Sequence, residues 1–337
     1  MEVKDMRVPY DTMKGEFCRV LTKKGLRKEK AELSARLFAD ASRDGVYTHG
    51  LNRFVKFMKS VDNGTVDLQA EASCAESYGF FERWDGHRGP GNINAYRCTE
   101  RAIELAKQYK IGVIGLRNTN HWMRPGNYGL MAVDNDCIGI FFTNTVPNMP
   151  PWGGKDAKLG NNPVVFAAPN GDTPMLVDVA MSMFSYGKLE AYKREGKLLP
   201  VEGGFNSKQE LTKDPSEILE THESLPIGYW KGSGISLALD LIASTLSGGR
   251  TSKMVGELPA ETELSQTFIV IDINQFPDRD EILRKISDTL EDLKLAEPVK
   301  EGVPVHFPGE HMKQIREENM KLGVPVDEHY WQNVLDM

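Results

Sequence analysis

Short apolar, β-branched runs crowd the middle of this 337-residue chain, while helical periodicity holds both ends. Ile111-Gly-Val-Ile-Gly-Leu116, Ile138-Gly-Ile-Phe-Phe142, Pro163-Val-Val-Phe-Ala167 and Thr267-Phe-Ile-Val-Ile-Asp272 are bounded by Gly, Asn and Pro, as buried strands are. Before them, Met13, Phe17, Val20 and Leu21, then Leu33, Leu37, Phe38 and Ala41, then Leu51, Phe54, Met58 and Val61 keep the spacing of one helix face. Gly25, Gly45 and Asn63-Gly64 stand where those helices should stop. Helical patterns around Thr99–Lys110, Ser182–Glu195 and Ile235–Leu246 separate the strands, and the tail from about Asp278 returns to helix with Ile282, Leu283, Ile286, Leu290 and Leu293 in register. The pattern predicts a mixed α/β (α+β) protein. A helical domain built from residues 1–75 and 278–337 would flank a mixed-sheet domain at 76–277.

Composition narrows the partners. A net charge of −7 and a pI near 5.6 weigh against nucleic acid and an anionic membrane surface. The one dense basic stretch, Lys23 to Lys30, is broken by Gly25 and Glu29 and reads as a solvated helix boundary. No apolar run approaches the ~20 residues of a membrane helix, and Met1–Asp5 lacks the apolar core of a signal peptide. Cys18, Cys74, Cys98 and Cys137 are scattered, with no Cys-x-x-Cys, which suits a reducing cytoplasm and gives no structural zinc.

Among the motifs, Gly45-Val-Tyr-Thr-His-Gly-Leu-Asn-Arg53 carries the sharpest chemistry. His49 and Arg53 share a face if the turn between them is helical. A histidine can then move a proton while an arginine fork holds a carboxylate, a pairing that suits a 2-oxo acid. Asn118-Thr-Asn-His-Trp-Met-Arg-Pro-Gly126 follows a strand directly, where α/β sites tend to form. His121 there is a second acid/base, a group orienting a nicotinamide, or simply a histidine satisfied in a turn; Arg124 can meet a polar substrate. Thr143–Gly153 and Leu159–Pro163 are amide-rich loops that line a pocket or satisfy sheet ends. Gly228-Tyr-Trp-Lys-Gly-Ser-Gly234 feeds an apolar helix, either as an anion site strengthened by Lys231 or as a packed glycine turn. His306 and His311 lack carboxylate or thiol partners at metal-binding spacing, so no metal is expected. His87, His222 and His329 read as surface histidines. No G-x-G-x-x-G follows a strand, so a nicotinamide cofactor would need a fold other than the Rossmann one.

Taken in order, Gly45–Arg53, Asn120-His-Trp122, Leu159-Gly-Asn-Asn-Pro163, Met181-Ser-Met-Phe-Ser-Tyr-Gly187, Gly228–Gly234 and Phe307-Pro-Gly-Glu-His311 resemble the malate/lactate dehydrogenase family that lacks the Rossmann fold. Over essentially the whole chain the similarity is closest to its 2,3-diketo-L-gulonate reductase branch. The tryptophan motifs His121–Arg124 and Pro150–Gly153 look particular to that branch. The resemblance implies a malate/L-sulfolactate dehydrogenase-like fold, with a mixed, largely antiparallel sheet. It further implies a homodimer whose active sites lie near the subunit interface. By the same resemblance His49 is the proton donor, Arg53 the carboxylate anchor and His121 a further catalytic residue, with Thr48, Arg53 and Arg124 on the substrate. Cofactor contacts map to Pro174, Met175, Leu176, Val177, Asp178, Val179 and Ala180, to Trp230 and Lys231, and to Gly309, Glu310 and His311. A carboxylate at Asp178 would repel a 2′-phosphate, favouring NADH over NADPH. Thr48 stands where many members carry serine, and Pro125 stiffens a loop that is glycine-rich in relatives.

The expected activity is therefore NADH-dependent reduction of a 2-oxo acid, 2,3-diketo-L-gulonate to 3-keto-L-gulonate. Malate, lactate or ureidoglycolate oxidation and cyclic-imine reduction are alternatives on the same scaffold. A catalytically silent nucleotide- or sugar-acid-binding protein is the alternative of another class.

Overall fold

Helical spacing at the amino end becomes α1 (Tyr10–Lys23), α2 (Lys28–Arg43) and α3 (Leu51–Asp62) in the computed structural model, which describes residues 6–337. Met1–Asp5, read above for a signal peptide, lie outside the described residues. Each helix buries the stripe that its sequence marks: Met13, Phe17, Val20 and Leu21 on α1, Phe38 on α2, Phe54 and Met58 on α3. At the centre Phe17 stacks on Phe54 with ring centroids 4.3 Å apart, and Phe38 meets Phe54 edge-on at 5.2 Å, the offset and T-shaped geometries that aromatic quadrupoles favour.

Seven strands form one sheet: β1 (Ser73–Ser77), β2 (Phe81–Asp85), β3 (Ile111–Thr119), β4 (Cys137–Thr143), β5 (Val164–Ala168), β6 (Met175–Val179) and β7 (Leu264–Asp272). Their spatial order is β1-β2-β3-β7-β4-β5-β6. Only β2 and β3 run parallel, joined by the crossover helix α4 (Gly91–Tyr109); every other neighbouring pair is antiparallel. A Rossmann domain needs a parallel sheet, so the missing glycine fingerprint and the topology agree.

Helix α4 and α5 (Gly126–Val133) cover one face of the sheet over Trp122, Tyr128, Phe141 and Phe268. A small lobe follows, in which α6 (Tyr186–Arg194) and α7 (Pro215–Thr221) close over Leu189, Leu199 and Ile218. Helix α8 (Trp230–Ser247) and the short α9 (Ser252–Val255) lie toward the other sheet face, with Ala243 packed among Phe142, Met149 and Met181. The tail supplies α10 (Arg279–Lys294), α11 (Met312–Leu322) and α12 (Glu328–Asp336). Trp331 and Val334 of α12 enter the amino-terminal helical core, and Arg7–Val8 pairs antiparallel with Val324–Pro325, so the two ends of the chain are tied together.

Three elements differ from the periodicity reading. Strands β1 and β2 form an edge hairpin with charged residues on it, so neither reads as an apolar run. On α10 only Leu290 of the expected stripe is fully buried. Helix α8 starts at Trp230, earlier than its apolar run, and is inverted: Ser236, Asp240, Ser244 and Ser247 face inward, while Ile235, Leu237, Leu241 and Ile242 are exposed. Asp240 explains part of the inversion, since its Oδ1 accepts from Asn144 Nδ2 and the Ser252 amide, each at 2.8 Å. Among the described residues no helix is long and apolar enough to cross a membrane.

Candidate active site

The turn Tyr47–His49 is a single 3₁₀ turn pressed onto the end of α2. Gly50 allows this: a Cβ there would sit 1.9 Å from Ser42 Oγ and 2.8 Å from the Ser42 amide. Ser42 Oγ in turn accepts from the Leu51 amide at 3.0 Å, securing the first turn of α3. His49 is thereby fixed beside the helix that carries Arg53. The Thr48 hydroxyl lies 3.1 Å from His49 Nδ1.

His121 comes from the loop after β3 and faces His49, the rings nearly parallel and 6.1 Å apart between centroids. The Met123 amide donates to His121 Nδ1 at 3.0 Å. Met123 itself adopts a left-handed φ of 67°. With Nδ1 accepting, the neutral imidazole must carry its proton on Nε2. Burial, then the charge of Arg53, pushes His121 well below the ordinary histidine range, and the same causes bring His49 down to about 4. Both rings are therefore neutral at pH 7. Arg53 has Glu261 3.8 Å from its guanidinium, and Lys56 is gripped by both carboxylate oxygens of Glu190 at 2.8 Å.

Two cavities meet at these residues. One, of about 340 Å³, is lined by Asn52, Arg53, Lys56, Asn148, Tyr186 and Glu190 among others. The other is a cleft of about 590 Å³ running past Leu176, Asp178, Ala180, Phe307, Gly309 and His311. Both are bordered by Thr48, His49, His121, Thr145, Asn161 and Ser185. The second cleft lies where strand β6 meets the 307–309 loop. Leu176 N–H donates to Pro308 O at 2.9 Å, and Gly309 has a φ of 99°, with space so short that a Cβ would fall 2.6 Å from Pro174 O. Alternation along β6 then sends Leu176 and Asp178 into the cleft while Met175, Val177 and Val179 do not line it.

The remaining candidate residues divide. Arg124 borders the cleft but is almost wholly buried, its Nη1 donating to Asp44 at 2.6 Å and to Asn127 at 3.2 Å. Arg43 and Arg316 also converge on Asp44, whose carboxyl is held far below the usual range against the cost of its burial. Such a buried charge cluster fixes the loop after β3 onto α2 and α11, and the buried Arg124 Nε has no partner among the described residues. Asp178 Oδ2 accepts from the Gly126 amide at 2.9 Å. Glu310 borders neither of the two cavities at His49; its carboxylate meets Lys294 at 2.9 Å and His306 at 2.6 Å. Trp230 and Lys231 are exposed at the start of α8 and line neither cavity of their own chain. Among the described residues there is no group of three or more His, Cys, Asp or Glu fit to hold a metal ion.

Sequence reasoning did not single out Ser185, Tyr186, Glu190 or Glu261. Ser185 and Tyr186 lie inside a motif that was noticed, and Ser185 caps α6 by accepting from the Lys188 amide. Glu261 sits in a loop with no pattern of its own, and only the fold brings it to Arg53.

Paired histidines and an arginine thus lie at the junction of a polar cavity and a long cleft, in a fold whose sheet is mainly antiparallel. The chain belongs to the malate/L-lactate dehydrogenase family, whose model matches residues 8–335. It is 41% identical over 333 residues to the 2,3-diketo-L-gulonate reductase of Citrobacter koseri, covering 98% of this chain and 99% of that one. Malate dehydrogenase from Pyrococcus horikoshii superposes with a TM-score of 0.89 at 31% identity, over 98% of this chain and 94% of that one. Sulfolactate dehydrogenase from Methanocaldococcus jannaschii does so at 0.89 and 28% identity, over 98% and 96%.

Proposed function

We propose that the protein reduces a 2-oxo acid with NADH, and that its substrate is 2,3-diketo-L-gulonate, converted to 3-keto-L-gulonate. The observation carrying this reading is the meeting of the two cavities at His49 and His121, with Arg53, in the first turn of α3, lining the smaller one. The cleft suits a dinucleotide: Leu176 and Phe307 offer apolar surface to a flat ring, and Asp178 offers an acceptor to ribose hydroxyls. When bound, the nicotinamide supplies hydride to the ketone carbon. Arg53 holds the substrate carboxylate through its planar fork and so sets the carbonyl oxygen between the histidines. His49 protonates that oxygen as negative charge develops on it. His121, fixed as the Nε2–H form, donates a hydrogen bond without changing its own charge. Arg124 acts at one remove, holding the His121 loop through Asp44. The 41% identity to a named diketogulonate reductase supports the substrate, and the Asp178 carboxylate supports NADH over NADPH.

The same reading includes a homodimer working in the cytoplasm. Exposed Ile235, Leu237, Leu241 and Ile242 form an apolar face on α8 that a second copy would cover, and it begins at Trp230 and Lys231. Those two residues would then serve the cleft of the opposite subunit. A mass by light scattering of twice 37.7 kDa is expected, and a stable monomer with full activity overturns the dimer.

The test of the activity is loss of reduced-nicotinamide absorbance with 2,3-diketo-L-gulonate, pyruvate, oxaloacetate and the oxo product of ureidoglycolate, each with NADH and with NADPH. Oxidation of NADH with the diketo acid at the highest kcat/KM is expected. A preference for pyruvate or oxaloacetate would keep the mechanism and discard the sugar acid. Inertness throughout would leave only a binding role.

A further inference from the structure

The smaller cavity is lined by side-chain amides as well as by Arg53. Asn148 Nδ2 donates to Asn161 Oδ1 at 3.1 Å, and the Thr145 hydroxyl lies 3.1 Å from the same oxygen. This mutual contact uses one polar end of each amide. The other ends are spare: Asn148 Oδ1 is buried with no partner, and the Nδ2 of Asn161 meets no acceptor among the described residues. Exchanging O and N in both amides keeps the contact and swaps the spare ends, so one donor and one acceptor remain in either arrangement. Tyr186 fixes the loop by donating from its hydroxyl to Asn148 O at 2.8 Å. Both asparagines line the cavity, and Asn161 stands at its junction with the cleft.

A buried acceptor left unpaired costs ~1–3 kcal/mol, which a ligand can restore only by presenting a donor. A methylene group cannot do so, and a carboxylate can answer only the donor end. A hydroxyl answers both ends, since it donates and accepts at once. We propose that Asn148 and Asn161 together read a hydroxyl on the substrate chain beyond the oxo carbon, and so select hydroxylated 2-oxo acids over plain ones of the same length. The inference rests on the oxo-acid reduction above and names the residues that set its substrate class. Arg53 addresses the carboxylate common to all these acids, so it cannot supply this discrimination.

The experiment compares kcat/KM for 2,3-diketo-L-gulonate and for 2-oxohexanoate, which has six carbons and no hydroxyl, in wild type, Asn148→Leu and Asn148→Ala. Removing the amide should lower kcat/KM for the hydroxylated acid by about 10- to 100-fold. It should leave the value for 2-oxohexanoate level or higher, with an unchanged thermal midpoint. An equal fall for both acids means that the amide only shapes the loop and overturns the proposal, as does no fall for either. Wild-type protein inert toward both acids overturns the reduction reading itself, and this inference with it.

Discussion

Replacing His49 with alanine is expected to cost about 10²–10⁴-fold in kcat for oxo-acid reduction, the usual contribution of a positioned general acid. NADH oxidation at saturating substrate measures it. Near-full turnover in the variant would move the acid role to His121. The pH profile provides a second, independent reading. Burial and the neighbouring charges of Arg53, Arg124 and Lys56 hold His49 neutral in the free protein down to about pH 4. Protonated His49 is the form that can donate, so kcat/KM for reduction should climb as pH falls from 8 toward 5, and this climb should vanish in the alanine variant. An anionic substrate at Arg53 cancels one of the charges that keep His49 neutral. Binding of an unreactive 2-oxo acid mimic such as oxamate at pH 6–7 should therefore take up a proton, visible with an indicator dye in weak buffer. The sign for stability follows the same shift. A histidine whose folded pKa lies below its unfolded value near 6.5 favours the fold above that value, and the contribution is lost as pH falls from there to about 4.

Arg53→Lys should lower kcat/KM for the 2-oxo acid by roughly 10- to 100-fold, because an ammonium cannot reproduce two parallel charge-assisted hydrogen bonds. The loss should fall mainly on KM if the fork chiefly binds, and on kcat as well if it also aligns the carbonyl with the hydride. Unchanged kcat/KM would remove Arg53 from the carboxylate. Glu261, 3.8 Å away, and Glu190 offset the burial of the Arg53 charge before substrate arrives. Anchoring therefore exchanges one set of carboxylate interactions for another, and part of the Coulomb gain is already present in the free protein.

The order of elements was readable because local chemistry decides them. β-branched runs between Gly and Pro became β3, β4, β5 and β7, and the 3.6-residue stripes became α1, α2 and α3. The edge hairpin β1–β2 was not readable, since a strand exposed to water keeps no apolar run. The nearness of His49 and Arg53 was legible because four residues of chain cannot carry them far apart, but the shared helical face was not formed: Gly50 breaks the helix between them, leaving His49 on a 3₁₀ turn and Arg53 in the first turn of α3. Arg124 illustrates the opposite case. Its sequence neighbours suggest a substrate contact, yet its guanidinium is taken by Asp44, 80 positions away. Whether a charged side chain is free or spent depends on which distant carboxylate the fold brings to it.

By itself the sequence determined the secondary-structure alternation, the absence of a glycine-rich dinucleotide fingerprint, and the closeness in the chain of a histidine and an arginine. These depend on dihedral preferences and spacings that act over a few residues. The tertiary structure alone decided that Asn148 and Asn161 line one cavity with Arg53, that Glu261 comes to the Arg53 guanidinium, and that α8 turns its apolar side outward. Those outcomes depend on contacts between residues far apart in the chain, which no local preference encodes.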